Sequence, residues 1–218
     1  MVKSSKKAVK IHESVPPDWY YRSIYIDRNI IQRFVHGRRF SEVGKLVEPS
    51  GGKILDIGCA DGVFTKIILD KSNAEKVVAI DILKSSIGWS KKHWRKEKCI
   101  DFIVADAHKL PFKSGEFDAV FVLEVLEHVF EPRKVLREIK RVLNRGGYAV
   151  FLVPAETLLF RMVWFFWKKY KGKIWKETHV HAYSGDFLSK LVETLGFEVL
   201  VNKGIIFGTL RLIKVEKK

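Results

Sequence analysis

Between Lys53 and Pro154, short runs of Val, Ile, Leu and Phe alternate with helix-length stretches, and this rhythm restricts the fold more than any other feature. Lys53–Ile57, Lys76–Ile80, Ile100–Ala105, Asp118–Leu123 and Gly147–Pro154 read as strands. Phe64–Asp70, Ser85–Lys96 and the stretch from Leu126 through Arg133–Leu143 read as helices between them. The strand runs are continuously apolar, as expected where helices cover both faces of a sheet. Such β–α alternation gives a doubly wound, mainly parallel sheet. Past Pro154 the rhythm breaks. Asp186–Leu195 reads as a helix ended by Gly196, and Phe197–Val201 and Leu210–Val215 as an antiparallel pair at the sheet edge. The expectation is an α/β fold: a seven-stranded Rossmann-like sheet with helices on both faces and an antiparallel last strand.

Upstream, Pro16-Pro17 stops any helix. Ser23–Val47 reads as helical, with Ile24, Ile31, Phe34, Val35 and Leu46 apolar and Arg28, Arg33, Arg38 and Arg39 between them. Pro49-Ser50-Gly51-Gly52 is a turn. The chain therefore divides into an N-terminal tail and helix over 1–47 and a main domain over 48–218, with an aromatic and basic insertion at about 155–180. Met1–Lys10 is Lys-rich without an apolar run behind it, which reads as a frayed tail rather than a signal peptide.

In an open α/β sheet, ligands bind at the carboxyl ends of the strands. There the first four strands carry Asp56, Asp81, Asp106 and Glu124. Short acids are common in such loops, which accounts for one or two of these more readily than for all four. A nucleotide phosphate would be repelled by them; a cation or a sugar hydroxyl would not. The first turn reads Asp56-x-Gly58-x-x-x-Gly62, where glycine permits positive φ and close backbone approach. Ala60 and Val63 exclude the dinucleotide GxGxxG spacing, and no GxxxxGK[ST] phosphate loop occurs.

Five pieces occur in order: Leu55-Asp56-Ile57-Gly58-Cys59-Ala60-Asp61-Gly62; Ala79-Ile80-Asp81; Ala105-Asp106-Ala107-His108-Lys109-Leu110-Pro111-Phe112 with Phe117-Asp118; Glu124-Val125-Leu126-Glu127-His128-Val129; and Glu138-Ile139-Lys140-Arg141-Val142-Leu143-Asn144-Arg145-Gly146-Gly147. In these the chain resembles the type 11 group of class I S-adenosylmethionine-dependent methyltransferases, relatives of the quinone-biosynthesis methyltransferases. The resemblance covers about residues 45–155. It implies that S-adenosylmethionine is the cofactor, with its sulfonium, ammonium and ribose hydroxyls suited to acids. It further implies that Gly58, Cys59, Ala60 and Gly62 hold the methionine part while Asp56 braces the ammonium. Asp81 would take the ribose hydroxyls, Ile82 would pack on adenine, and Asp106 would read the adenine amino group with Ala107 beside it. The Glu124 region would floor the pocket near the sulfonium. Ala60 departs from the family's middle glycine, and a methyl group there is a small intrusion.

Methyl transfer from a sulfonium has an excellent leaving group, so positioning supplies most of the acceleration. A base is needed only if the acceptor must lose a proton. His128, after the fourth strand, is the candidate, against a structural role at a helix start. His179 and His181 are rivals. Their i, i+2 spacing lacks a carboxylate or Cys to complete a metal set, so no metal is expected. An exocyclic amine of a base is marked down as acceptor, because Leu123-Glu124-Val125-Leu126 stands where an (Asn/Asp)-Pro-Pro-aromatic motif belongs. Cytosine C5 is marked down because neither Cys59 nor Cys99 is placed as a nucleophile; both read as small packing residues.

The insertion bears on the acceptor. Leu158–Lys171 contains Phe160, Arg161, Trp164, Phe165, Phe166, Trp167, Lys168 and Tyr170. A lid helix on the sheet edge, a surface for an anionic bilayer, a cap over an apolar acceptor and a base-stacking platform all suit it. Trp164, His179 and His181 are its candidate substrate contacts. Trp89-Ser90-Lys91-Lys92-His93-Trp94-Arg95-Lys96 is a second basic and aromatic run, which reads as a solvated helix face.

The net charge of +15 leaves three kinds of partner open: nucleic acid, an anionic membrane surface or an acidic small molecule. Abundant Lys with one Gln and two each of Cys and Met resembles a heat-adapted composition, which explains the Lys and Glu but not the imbalance of sign. Two cysteines without a CxxC point to a reducing cytoplasm, with peripheral membrane attachment open. The reading is a methyltransferase acting on a small or lipid-like acceptor. An RNA methyltransferase and a non-catalytic nucleic-acid or membrane binding module are the alternatives, and the oligomeric state stays open.

Overall fold

The computed structural model describes residues 9, 12–13, 15–27, 30–49, 51–155, 183 and 185–218. Seven strands form one sheet: β1 (Lys53–Ile57), β2 (Lys76–Asp81), β3 (Ile100–Val104), β4 (Phe117–Leu123), β5 (Leu143–Pro154), β6 (Phe197–Ile205) and β7 (Leu210–Lys217). Their order is β3-β2-β1-β4-β5-β7-β6. The first five are parallel, and β7 runs antiparallel to both β5 and β6. The expected antiparallel pair at the sheet edge is therefore present, with β7 between β5 and β6.

Successive residues of each central strand feed opposite faces, because side chains alternate across a strand. Leu55, Ile57, Val120, Val122 and Phe151 join one core with helices α4 (Pro132–Val142) and α5 (Phe187–Thr194), through Leu136, Ile139, Leu188 and Val192. Ile54, Ala79, Phe121, Val150 and Leu212 join the other with α1 (Ile30–Gly44), α2 (Val63–Ser72) and α3 (Lys84–His93), through Val43, Ile68 and Ile87. This two-sided burial is why the strand sequences lack polar alternation. Each buried Phe, such as Phe121, contributes about 2–3 kcal/mol of apolar transfer.

The stretch after β4 departs from the expected single helix. A 3-10 turn, Leu126–His128, is followed by a break, and α4 starts only at Pro132, whose ring suits the first helical turn but not an interior. β5 begins at Leu143, before the expected Gly147, because Leu143 pairs with Phe117 ahead of a register shift. Upstream, a short helix Trp19–Tyr21 runs into a π-helical turn, Arg22–Ile26, before α1. Gly52 must lack a side chain, since a Cβ there would meet Asp118 Oδ2 at 1.9 Å. That carboxylate accepts the Lys53 N–H at 2.7 Å and fixes the start of β1.

Candidate active site

The site grows from the end of β1. Gly58 takes φ +77°, and the N–H groups of Gly58 and Cys59 both donate to the Ile80 carbonyl, at 2.8 and 3.0 Å. The turn is thus tied to β2, and its backbone passes directly under Asp81. The Asp81 carboxylate accepts the Ala60 N–H through Oδ2 at 3.0 Å and the Leu83 N–H through Oδ1 at 2.8 Å. Ala60 itself lies in the left-handed region, φ +46°. Its carbonyl accepts Ser90 Oγ at 3.0 Å.

Gly58, Cys59, Ala60, Asp81 and Ile82 all line one cavity with Asp56. Ala105, Asp106 and Ala107 close its far side, and Glu124, Val125 and His128 bound it from the end of β4. Gly62 does not line it. It is the left-handed N-cap of α2, where a Cβ would meet Trp94 Nε1 at 2.8 Å and Phe102 at 2.9 Å. Trp164, His179 and His181 lie outside the described residues.

Three aspartates sit together here in unfavourable surroundings. Asp56 is buried and accepts Thr65 Oγ1 at 2.6 Å. Burial pushes its carboxyl up to about 7; the Thr65 bond opposes this and Asp81 adds to it. Asp61 is pushed up to about 6 by burial, against the N–H groups that it accepts. Asp81 is raised by burial, against the Leu83 and Ala60 N–H groups. A ligand bringing positive charge and hydroxyl donors would relieve all three, and a phosphate would not. Cys59 is buried and its thiol is held well above its ordinary value by burial and the nearby acids, so it is no thiolate nucleophile. Cys99 is exposed, which corrects the expectation that it packs.

Asp106 is held by a neighbour that the sequence pattern does not single out. His108 donates its backbone N–H to Asp106 Oδ1 at 3.0 Å and places ring Nδ1 at 2.8 Å from the same oxygen. Glu124 sits at φ +59°, a strained conformation for a residue with a side chain. Its Oε1 lies 3.0 Å from Arg39 Nη1 of α1. Glu127 is buried, and burial followed by Glu124 holds its carboxyl well above the usual range. His128 places Nε2 at 4.0 Å from Glu127 Oε1 and meets the His12 ring edge-on at 4.7 Å.

The remaining wall comes from the N-terminal segment. His12, Val15, Pro16, Pro17, Trp19 and Tyr20 all line the cavity. The Tyr21 N–H donates to Asp61 Oδ2 at 2.6 Å, which fastens this segment to the β1 turn. Half-buried Tyr20 has its hydroxyl pKa raised by desolvation and then by Glu124. No periodic pattern announces this role. The signal available was Trp19-Tyr20-Tyr21 directly behind Pro16-Pro17, a dense aromatic group too short for a core helix.

A family model described as "Methyltransferase domain" matches residues 55–151. The chain is 31% identical over 169 residues to an uncharacterized protein of Methanocaldococcus jannaschii, covering 77% of this chain and 75% of that one. The chain belongs to the class I S-adenosylmethionine-dependent methyltransferases. The demethylmenaquinone methyltransferase of Thermotoga maritima is 30% identical over 151 residues, 65% of this chain and 60% of that enzyme. The ubiquinone/menaquinone biosynthesis C-methyltransferase of Desulfotalea psychrophila is 31% identical over 134 residues, and the chain covers 54% of its length. Among solved structures, the [4+2]-cyclase SpnF matches with a TM-score of 0.78 over 98% of this chain and 96% of that one, at 17% identity. The N-methyltransferase NodS of Bradyrhizobium japonicum, in complex with S-adenosyl-l-homocysteine, matches with a TM-score of 0.66 over 99% of each chain, at 17% identity. Those two likenesses show the fold alone.

The cofactor of this methyltransferase is S-adenosylmethionine. The cavity fits it: the Asp56 and Asp81 carboxyls, both raised by desolvation, lie along the β1 turn, beside the small side chains of Ala105 and Ala107. Among the described residues there is no cluster of three metal-ligating side chains, and no helix is long and apolar enough to cross a membrane.

Proposed function

We propose that this methyltransferase methylates a small or lipid-like acceptor bound between the β4 end and the N-terminal segment. The observation that carries this is the composition of that wall. Val15, Pro16, Pro17, Trp19, Val125 and Val129 give it an apolar surface opposite the aspartates. A cavity apolar on one side with a few convergent polar groups suits a small organic acceptor. The names of relatives point the same way, since they include quinone-pathway methyltransferases, a malonyl-[acyl-carrier protein] O-methyltransferase of Legionella pneumophila and a ubiquinone biosynthesis O-methyltransferase of Xanthomonas axonopodis.

Residue roles follow from position. Asp81, braced by the Ala60 and Leu83 N–H groups, would hold the ribose hydroxyls, and Ile82 and Ala107 the adenine edge beside Asp106. Gly58, Cys59 and Ala60 would pass along the methionine part, with Asp56 compensating its ammonium. Bound there, the cofactor supplies an electrophilic methyl group. His128, which lines the cavity, would accept a proton from a hydroxyl or acidic carbon of the acceptor. Arg39 would hold Glu124 in place, beside the Tyr20 ring that lines the same wall.

The test is transfer of labelled methyl from S-adenosylmethionine to panels of reduced quinones, carboxylic acids and RNA. Label in an organic-extractable small molecule supports the reading. Label confined to RNA, or cofactor binding without transfer to any panel or cell extract, refutes it. The cyclase likeness makes the second outcome a real contrast, because a methyltransferase fold can carry another reaction.

A further inference from the structure

Helix α1 has two dissimilar faces. Its inner face holds His36 and Val43 buried, packs Phe40 on Phe64 and sends Arg39 to Glu124. Its outer face begins with Ile30, 81% exposed, and Phe34, 61% exposed, one turn apart. Tyr25 and Ile26 of the preceding π-helical turn are exposed as well, at 61% and 53%. Apolar groups displayed so openly cost solvation and call for an explanation.

Cations surround this patch. With about 100° of rotation per residue, Arg33 and Arg38 lie roughly 60–80° to either side of Ile30. Both are exposed, and so is Arg22 beside the π-helical turn; Arg38 lies 3.8 Å from Glu42 and Arg22 3.5 Å from Asp18, surface pairs that leave both arginine side chains more than half open to solvent. An apolar strip with arginines along its rims is the pattern of a helix lying in a bilayer interface, and the chain's charge of +15 favours anionic headgroups. Single-stranded RNA fits less well, since the most exposed members of the patch, Ile30 at 81% and Ile31 at 75%, are aliphatic, and Tyr25 and Phe34 are its rings. A second copy of the chain fits less well too, because it would bring like charges together along the same rims.

We propose that the outer face of the N-terminal segment and α1, centred on Ile30 and Phe34, docks this methyltransferase onto an anionic membrane surface. The Trp19–Tyr21 helix that forms the cavity's apolar wall leads directly into this strip, so docking brings that wall to the source of an apolar acceptor. The last clause rests on the lipid-like acceptor; the docking itself does not.

The full chain is sedimented with phosphatidylcholine vesicles, with and without phosphatidylglycerol. The expected result is binding to the anionic vesicles that weakens with salt, and falls about tenfold in Ile30→Ser/Phe34→Ser and in Arg33→Glu. Cofactor affinity by calorimetry, unchanged in both variants, shows that the fold is intact. Undiminished vesicle binding by Ile30→Ser/Phe34→Ser overturns the proposal. So does a concentration-dependent dimer, or tight binding of single-stranded RNA, that is lost in that variant while vesicles go unbound. No acceptor enters this assay, so its failure is separate from failure of methyl transfer.

Discussion

Arg39 Nη1 lies 3.0 Å from Glu124 Oε1, joining a helix outside the parallel sheet to the residue just past β4. Both side chains are largely shielded, at 17% and 14% exposure. Glu124 also holds a left-handed backbone conformation, at φ +59°. Removing Arg39 would leave that carboxylate buried without its cation. Arg39→Met should therefore lower stability by about 2–3 kcal/mol, read by urea unfolding. An unchanged midpoint would mean that the pair contributes little.

At Gly58 an added Cβ would lie 2.2 Å from Val125 Cγ2, and φ is +77°. Gly58→Ala should cost about 2 kcal/mol or more and weaken cofactor binding sharply. Val125→Ala should restore part of the loss by removing the clash, though not the strain of positive φ. A double variant no better than Gly58→Ala would place the whole effect in the backbone.

Ala60 poses the opposite case. At φ +46° its methyl group costs about 1–2 kcal/mol, against about 0.5–1 kcal/mol for the extra freedom of an unfolded glycine. Ala60→Gly should be neutral or raise stability by up to about 1 kcal/mol, with cofactor affinity kept within a few-fold. Thermal unfolding and calorimetry check both, and a clear loss of stability would show that the methyl group packs usefully.

Titration of the free protein should carry the mark of Asp56. Its folded carboxyl is pushed up to about 7 from 3.8, and Asp61 to about 6. Between pH 4 and 7 the folded protein thus holds protons that the unfolded chain has released. The stability from these groups is complete below pH 4 and declines as pH rises toward 7. Glu42, held down to about 2 by Lys203 and Lys45, acts oppositely, and its contribution is lost as pH falls from 4.5 toward 2. A cationic cofactor favours ionised Asp56, so its affinity should rise with pH up to about 7 and then level. Asp56→Asn should flatten that rise. Calorimetry across pH reads it, and an unflattened curve would remove Asp56 from the cofactor's charge balance.

His128→Gln should lower turnover by about a hundredfold or more while cofactor affinity holds, if the acceptor must lose its proton to that ring. The log of the residual rate should climb with pH as the acceptor ionises by itself. A drop in cofactor affinity equal to the drop in rate would instead assign His128 to structure, through its contact with His12.

Much of this was readable in the residues because strands buried on both faces leave continuous apolar runs, as in Val77–Ile80 and Ala119–Leu123. Carboxylates at strand ends, Asp81 and Glu124, are fixed by that same alternation. The N-terminal wall was not readable. Tyr21 reaches Asp61 across 40 positions, and no local periodicity encodes a contact set by tertiary packing. His108 was missed for a related reason: a buried imidazole bracing Asp106 has the same sequence appearance as any loop histidine. The placement of β7 between β5 and β6 was likewise hidden, since either order suits two antiparallel hydrophobic strands.

That strand order also bears on how the protein is made. β6 leaves the ribosome before β7, yet among the described residues its only partner in the sheet is β7, which also supplies the free edge of β5 with its antiparallel neighbour. Until Leu210–Lys217 has emerged, β5 offers an open edge of hydrogen-bonding groups and β6 has nowhere to dock. The cofactor half of the domain can therefore assemble during translation, while closure of the sheet waits for the last strand, and a nascent chain stalled in the loop between β6 and β7 is the species most exposed to aggregation and to chaperone capture.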